Sequence, residues 1–106
     1  MADLSLFLLG PPRVELDGAP LEIGRRKALA LLFYLAISGE PQPRDTLATL
    51  LWPASSQQNA RKALRRDLSE LNMALEGNWI IADRENIGLR GGYWLDVKDF
   101  QQLTKN

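Results

Sequence analysis

Between Arg61 and Arg66 the chain sets four cationic side chains, Arg61, Lys62, Arg65 and Arg66, within six residues. At that density guanidinium and ammonium groups offer one kind of chemistry, the gripping of anions through forked or rotating N–H donors. Gln58 and Ser69, on either side of the cluster, add a carboxamide and a hydroxyl that could meet the edge of a base. On a helix, Lys62, Arg65, Arg66 and Ser69 share one side, with Gln58 a turn earlier and Arg61 at the margin. The opposite side carries Ala60, Leu64, Leu68, Leu71 and Leu75, at spacings of 4, 4, 3 and 4. A leucine stripe inward and a basic, amide-bearing face outward describe a helix laid in a DNA major groove. A basic face is also an ordinary solvated surface, so the surrounding elements must decide.

Those elements can be read in order. Residues 4–9, LSLFLL, predict a strand, and Arg13 to Asp17 a second, with Pro11-Pro12 between them because proline cannot serve a ladder interior. Asp17-Gly18 is a hairpin turn signal, and Leu21 and Ile23 alternate on a short third strand. A helix is expected from Gly24 to about Ser38, stopped by Gly39 and Pro41. Its run from Ala28 to Ile37 is apolar apart from the Tyr34 hydroxyl, which predicts a central, widely buried helix. Arg25, Arg26 and Lys27 crowd its first turn, where the helix dipole disfavours cations and an anion such as a phosphate would be welcome.

A short helix follows from Arg44 to Leu51, with Leu47, Leu50 and Leu51 inward and Trp52 and Pro53 at its end. Ser55-Ser56-Gln57-Gln58 has the S-x-x-Q form of a capping box and opens the basic helix. Two helices joined by a short polar turn, the second of them basic, stand in helix-turn-helix order. Trp79 to Asp83 and Asn86 to Arg90 predict a hairpin with Arg84-Glu85 at its tip, and Tyr93 to Asp96 a last extended segment. Val97 to Leu103 reads as the start of a further helix.

Composition removes most catalytic chemistries. The 106 residues contain neither cysteine nor histidine, which excludes thiolate nucleophiles, disulfides and the commonest general base and metal ligands. Gly91-Gly92 opens no phosphate loop. Asp83 and Glu85 read as wing surface rather than an acid–base pair, and Ser55-Ser56 as a cap rather than a nucleophile. Trp52, Trp79 and Trp94 read as packing residues. Neither a cofactor nor a metal is expected, and the reading is of a protein that is not an enzyme. No apolar run is long enough to span a bilayer and no signal peptide is evident, so a cytoplasmic protein without a membrane partner is expected. Thirteen basic and thirteen acidic residues leave no net charge, so attraction to nucleic acid would have to come from local segregation of charge.

The segments LFLLGPPRVELDGAPLEIGRRKALALLFYLA (6–36), RDTLATLLWP (44–53) and NARKALRRDLSELNMAL (59–75) resemble the DNA-binding domain of SARP-type bacterial transcriptional activators, relatives of the OmpR-type effector domains. The tail LDVKDFQQL (95–103) looks like the entry into the helical activation domain that usually follows. The resemblance implies an α+β winged helix-turn-helix over 1–96, with an N-terminal antiparallel sheet, three helices and a C-terminal hairpin wing. Residues 97–106 would begin a linker or a truncated helical domain. It further implies that the third helix enters the major groove and the wing reaches the flanking backbone or minor groove of double-stranded DNA. Matching positions give Lys62, Arg65, Arg66 and Ser69 facing the groove, Arg84 at the wing tip, and Arg61 and Arg44 near phosphates. Gln58 would read an adenine if it reaches the groove. RNA polymerase, and a second copy joined through a further C-terminal region, are the other partners implied.

Two positions depart from the family pattern. Glu70 and Asn72 stand where arginine is frequent, and Glu70 would oppose a passing phosphate backbone. Pro43 replaces a capping serine before the second helix and has no side-chain oxygen to cap with. The alternative reading is therefore a winged-helix module for protein contacts with a degraded DNA face.

Overall fold

Alternation of apolar and polar residues near the N-terminus becomes a hairpin sheet in the computed structural model, which describes residues 3–96. Strands β1 (Leu4–Phe7), β2 (Arg13–Leu16) and β3 (Ala19–Leu21) pair antiparallel, with Leu6 opposite Val14 and Leu4 opposite Leu16. The Asp17-Gly18 turn holds both residues at positive φ, 55° and 80°, the mirror-image geometry that matches strand twist and that glycine and aspartate tolerate best. A late strand, β7 (Trp94–Leu95), adds parallel to β1, so the four-stranded sheet is mixed rather than purely antiparallel. That pairing spans nearly the whole sequence, and no local pattern announces it. Leu4, Leu6, Val14, Leu16 and Leu95 share the buried face. The buried Asp96 carboxylate accepts hydrogen bonds from the Leu8 and Leu9 amides at 2.9 Å, closing the end of β1.

Among the described residues, this sheet belongs to one compact unit, drawn from residues 3–22 and 91–96. Ile23–Arg90 forms the other. Helix α1 (Arg26–Ser38) begins two residues later than expected, because Arg25 at its N-cap is extended and no side chain caps it. It ends as expected at Gly39, in the left-handed conformation at φ 71°. Ala28, Leu31, Leu32, Phe33, Leu35 and Ala36 are buried, and α1 packs on both other helices and on the wing strand β6. The burial is broad but not complete, since Ile37 remains 50% exposed.

Helix α2 (Arg44–Leu51) buries Leu47 and Ala48, whereas Leu50, expected inward, is 50% exposed. One turn later on a short helix, Leu50 has rotated off the packed side. Helix α3 (Gln57–Ala74) follows after the polar turn. The wing is β5 (Ile80–Ala82) and β6 (Asn86–Leu89), to which β4 (Gln42–Pro43) adds in front of α2. A Cβ on Gly88 would come within 3.3 Å of Pro41, so glycine allows the chain before β4 to lie directly on the wing. Buried Trp79 and Ile87 carry the wing into the helical core. Three helices in α1–α2–α3 order with a hairpin after the third form a winged helix-turn-helix in an α+β fold. The segment 97–106, expected to begin a linker or further helix, lies outside the described residues.

Candidate nucleic-acid interface

Helix α3 starts one residue later than the S-x-x-Q pattern suggests. Ser56, not Ser55, is the N-cap, and its hydroxyl accepts the Asn59 amide at 3.2 Å. Such a cap contributes about 1 kcal/mol. The outward face matches the expected one: Gln58, Arg61, Lys62, Arg65, Arg66 and Ser69 are all exposed. The inward face does not match fully. Ala60, Leu64, Asp67, Leu71 and Leu75 are buried, while Leu68, assigned to the core from its spacing, is only half-buried. Asp67 takes the place in the stripe that Leu68 was expected to fill. Met73, 78% exposed, lies four residues past Ser69 on the basic face and went unnoticed among the charges.

The wing turn is built by Asp83. Its Oδ1 accepts the Glu85 and Asn86 amides at 2.8 and 2.7 Å, leaving Arg84 exposed at the tip. Those hydrogen bonds from Asn86 and Glu85, helped by the nearby charge of Arg44, hold the Asp83 carboxyl below its ordinary range. A carboxylate with a depressed folded pKa contributes order above its unfolded pKa, about 3.9, and loses that contribution as pH falls through the folded value. Lowering the pH from 5 into that acid range should therefore loosen the wing tip before the core. Faster amide exchange at Glu85 and Asn86 with Leu64 and Leu71 still protected is the expected result; simultaneous loss at all four sites would refute it.

Arg44 joins the wing to α2. Its amide donates to the Glu85 carbonyl at 2.8 Å, which supplies the partner that the capless Pro43 cannot. Its Nε donates to the Asp83 carbonyl, also at 2.8 Å. Arg44, expected near a phosphate, thus has a structural duty through Nε.

Between α3, the start of α2 and the wing tip lies a cleft of about 910 Å3. Of the expected site residues it gathers Arg44, Gln58, Arg61, Lys62, Arg65 and Arg84, with Asp45 and Glu85 as its two carboxylates. Arg66 and Ser69 lie outside it. Arg61 is occupied: its Nε and Nη2 donate to the two Asp45 oxygens at 2.8 and 3.0 Å. The Arg61 hydrogen bonds hold the Asp45 carboxyl below its usual range, and the same bonds push Arg61 higher. Asp45 was missed because it lies sixteen residues away from its partner. No carboxylate among the described residues comes within ion-pair distance of Lys62, Arg65 or Arg84.

The other side of α3 is organised differently. Arg66 Nε donates to buried Asp67 at 3.2 Å, and Arg25, at the start of α1, lies between Asp67 and Glu70. Glu70, expected to face a passing backbone unopposed, is instead 2.9 Å from Arg25 Nε. Lys27 donates to the Leu51 carbonyl at 2.5 Å and sits over the Trp52 ring. The crowded first turn of α1 therefore finds partners within the chain for Arg25 and Lys27. Among the tryptophans, Trp79 is core, Trp52 packs under Lys27, and Trp94 is 40% exposed against Phe7. Among the described residues there is no cluster of acidic side chains able to hold a metal, and no helix long and apolar enough to cross a membrane.

No protein-family model matches the chain. Over 97 residues it is 32% identical to the transcriptional regulatory protein EmbR of Mycobacterium bovis. The EmbR proteins of two Mycobacterium tuberculosis strains match with the same identity and coverage. The match takes in 91% of this chain but 25% of the relative, so the chain spans about a quarter of the length of the curated relatives it matches. Nearly all of this winged helix is thus similar to one part of a transcriptional regulatory protein.

Proposed function

We propose that this chain is a sequence-specific double-stranded DNA-binding domain of a bacterial transcription regulator. The observation that carries the reading is the cleft between α3 and the wing, where Lys62, Arg65 and Arg84 converge without ion-pair partners among the described residues. In this reading α3 lies in the major groove, Arg65 and Lys62 meet base edges, Gln58 and Ser69 add polar contacts, and Arg84 takes the flanking backbone or minor groove. The similarity to EmbR supports a role in transcription. No catalysis and no cofactor are assigned. In a whole regulator of this kind, contacts to RNA polymerase or to a second copy would fall to a further region.

A second reading, a module for protein contacts, draws on Met73 exposed within the basic face and on the Asp45 carboxylate that occupies Arg61. Selection of bound sites from random duplexes, followed by titration of Arg65→Ala, separates the two. The DNA reading expects a preferred site, with Arg65→Ala weakening it by roughly 1–3 kcal/mol and relaxing the preference at one base pair. Enrichment of no sequence, or an Arg65→Ala variant that keeps both the parent's affinity and its preference, counts against it.

A further inference from the structure

We infer that Arg25 and Arg66 form a second phosphate-holding station, on the flank of α3 that meets the start of α1. The inference rests on the DNA-binding reading and extends it to the other strand of the duplex. What points to it is the way the two guanidiniums are held. The Asp67 side chain is 2% exposed; Arg66 Nε lies 3.2 Å from its Oδ1 and Arg25 Nε 3.7 Å from the same oxygen. Glu70 Oε2 approaches Arg25 Nε at 2.9 Å. Arg66 is therefore held at the back by a hydrogen bond from Nε, and Arg25 by ion-pair contacts on the same side of its guanidinium. Among the described residues neither donates a hydrogen bond from its terminal amino groups, and their side chains are 46% and 54% exposed. A guanidinium fixed by Nε with its two amino groups open suits a phosphate, whose oxygens accept parallel N–H donors. The two guanidiniums stand side by side against Asp67 and Glu70, with their open amino groups available to an anion in front of them.

Duplex geometry supplies the second strand. A helix about 10–12 Å across, lying in a major groove about 12 Å wide, has a sugar–phosphate strand along each flank. Arg65 lines the wing-side cleft, whereas Arg66, one residue on, does not and is drawn to Asp67 instead. Successive residues of one helix thus address opposite flanks, and exposed Arg26 adds a charge beside Arg25. Asp67 is a positioning residue here, acting through the arginines.

The test is a titration of the chain on a preferred and a random duplex, with Arg25→Gln, Arg66→Gln and Asp67→Asn beside the parent. Each arginine variant should weaken both duplexes alike, by about three- to tenfold at 0.1 M salt, and flatten the salt slope by about one unit. Duplexes with single neutral methylphosphonates should lose their effect at one position in Arg66→Gln, on the strand opposite the position lost in Arg84→Gln. Asp67→Asn raises the net positive charge yet should weaken binding, where charge alone would tighten it. Should that variant fail to fold, the arginine variants and the methylphosphonate map decide. Parent-like binding and slope in both arginine variants overturn the station and leave the wing-side reading standing. So does an Arg66→Gln variant that loses only its preference between duplexes. A parent that binds no duplex removes both.

Discussion

Leu71→Ala should be the most damaging single truncation on α3, costing roughly 2–5 kcal/mol through lost burial and the cavity left behind. Leu71 is 0% exposed and sits in the stripe where α3 meets α1 and α2. A neighbouring backbone cannot easily collapse into that space, because three helices converge there and each is pinned. The Ser56 cap fixes the start of α3, and Arg25 ties α1 to it through Asp67 and Glu70. For a domain of this size the loss corresponds to a fall in Tm of about 10–30 °C. Lys62→Ala, on the exposed face, should stay within about 0.5 kcal/mol of the parent. Leu68→Ala should fall between them, since Leu68 is only half-buried. Thermal melts of the three variants decide the matter. A Leu71→Ala protein melting with its parent, or a Lys62→Ala protein melting far below it, would mean that the helix faces are assigned the wrong way round.

The difference between Leu71 and Leu68 shows where the sequence was readable. Period alone placed α3 within two residues at either end and put every cationic side chain on the correct face. It could not tell Leu68 from Asp67, because adjacent residues at the edge of a stripe differ by about 100°. Hydrophobicity favoured the leucine. What reverses the order is pairing with Arg66, the next residue back, at 3.2 Å, and with Arg25, forty-two residues earlier, at 3.7 Å, which lets a carboxylate be buried where it would otherwise cost several kcal/mol. Asp45 escaped notice for the same reason, since its meaning lies in a contact with Arg61. The hairpin wing was visible from its turn residues and β7 as the extended segment Tyr93 to Asp96, but β4, and the pairing of β7 with β1, were not. Both strands are two residues long and exist because a distant strand edge accepts them. Local pattern fixed the elements and their outward chemistry; the ion pairs that choose which cations stay open depend on tertiary neighbours.

Those ion pairs set the size of the last expectation. Under the proposed function, binding to duplex DNA should weaken roughly 300- to 1000-fold between 50 and 200 mM salt, a slope of log K on log salt near −4 to −5. A chain with no net charge has little long-range pull on DNA, so the dependence must come from local contacts within a Debye length of about 10 Å at 0.1 M salt. Arg84 offers such a contact beside the wing, and Arg25 and Arg66 offer two on the other flank. The charges of Lys62 and Arg65, held in the groove between the two strands, add to the counterions released. Arg61 is the swing residue. While Asp45 holds it by two hydrogen bonds it releases no counterion from a phosphate. Asp45→Asn frees it, and should tighten binding to preferred and random duplexes alike while steepening the slope by about one unit. Because the Arg61 hydrogen bonds hold the Asp45 carboxyl below its usual range, mild acidification to pH 5 should not mimic that substitution. Titrations at three salt concentrations, on parent and Asp45→Asn, measure both slopes. A parent slope near zero with the protein folded would remove the phosphate contacts from the proposal. An Asp45→Asn variant with the parent's slope would show that Arg61 does not face DNA, leaving that ion pair a structural tie between α2 and α3.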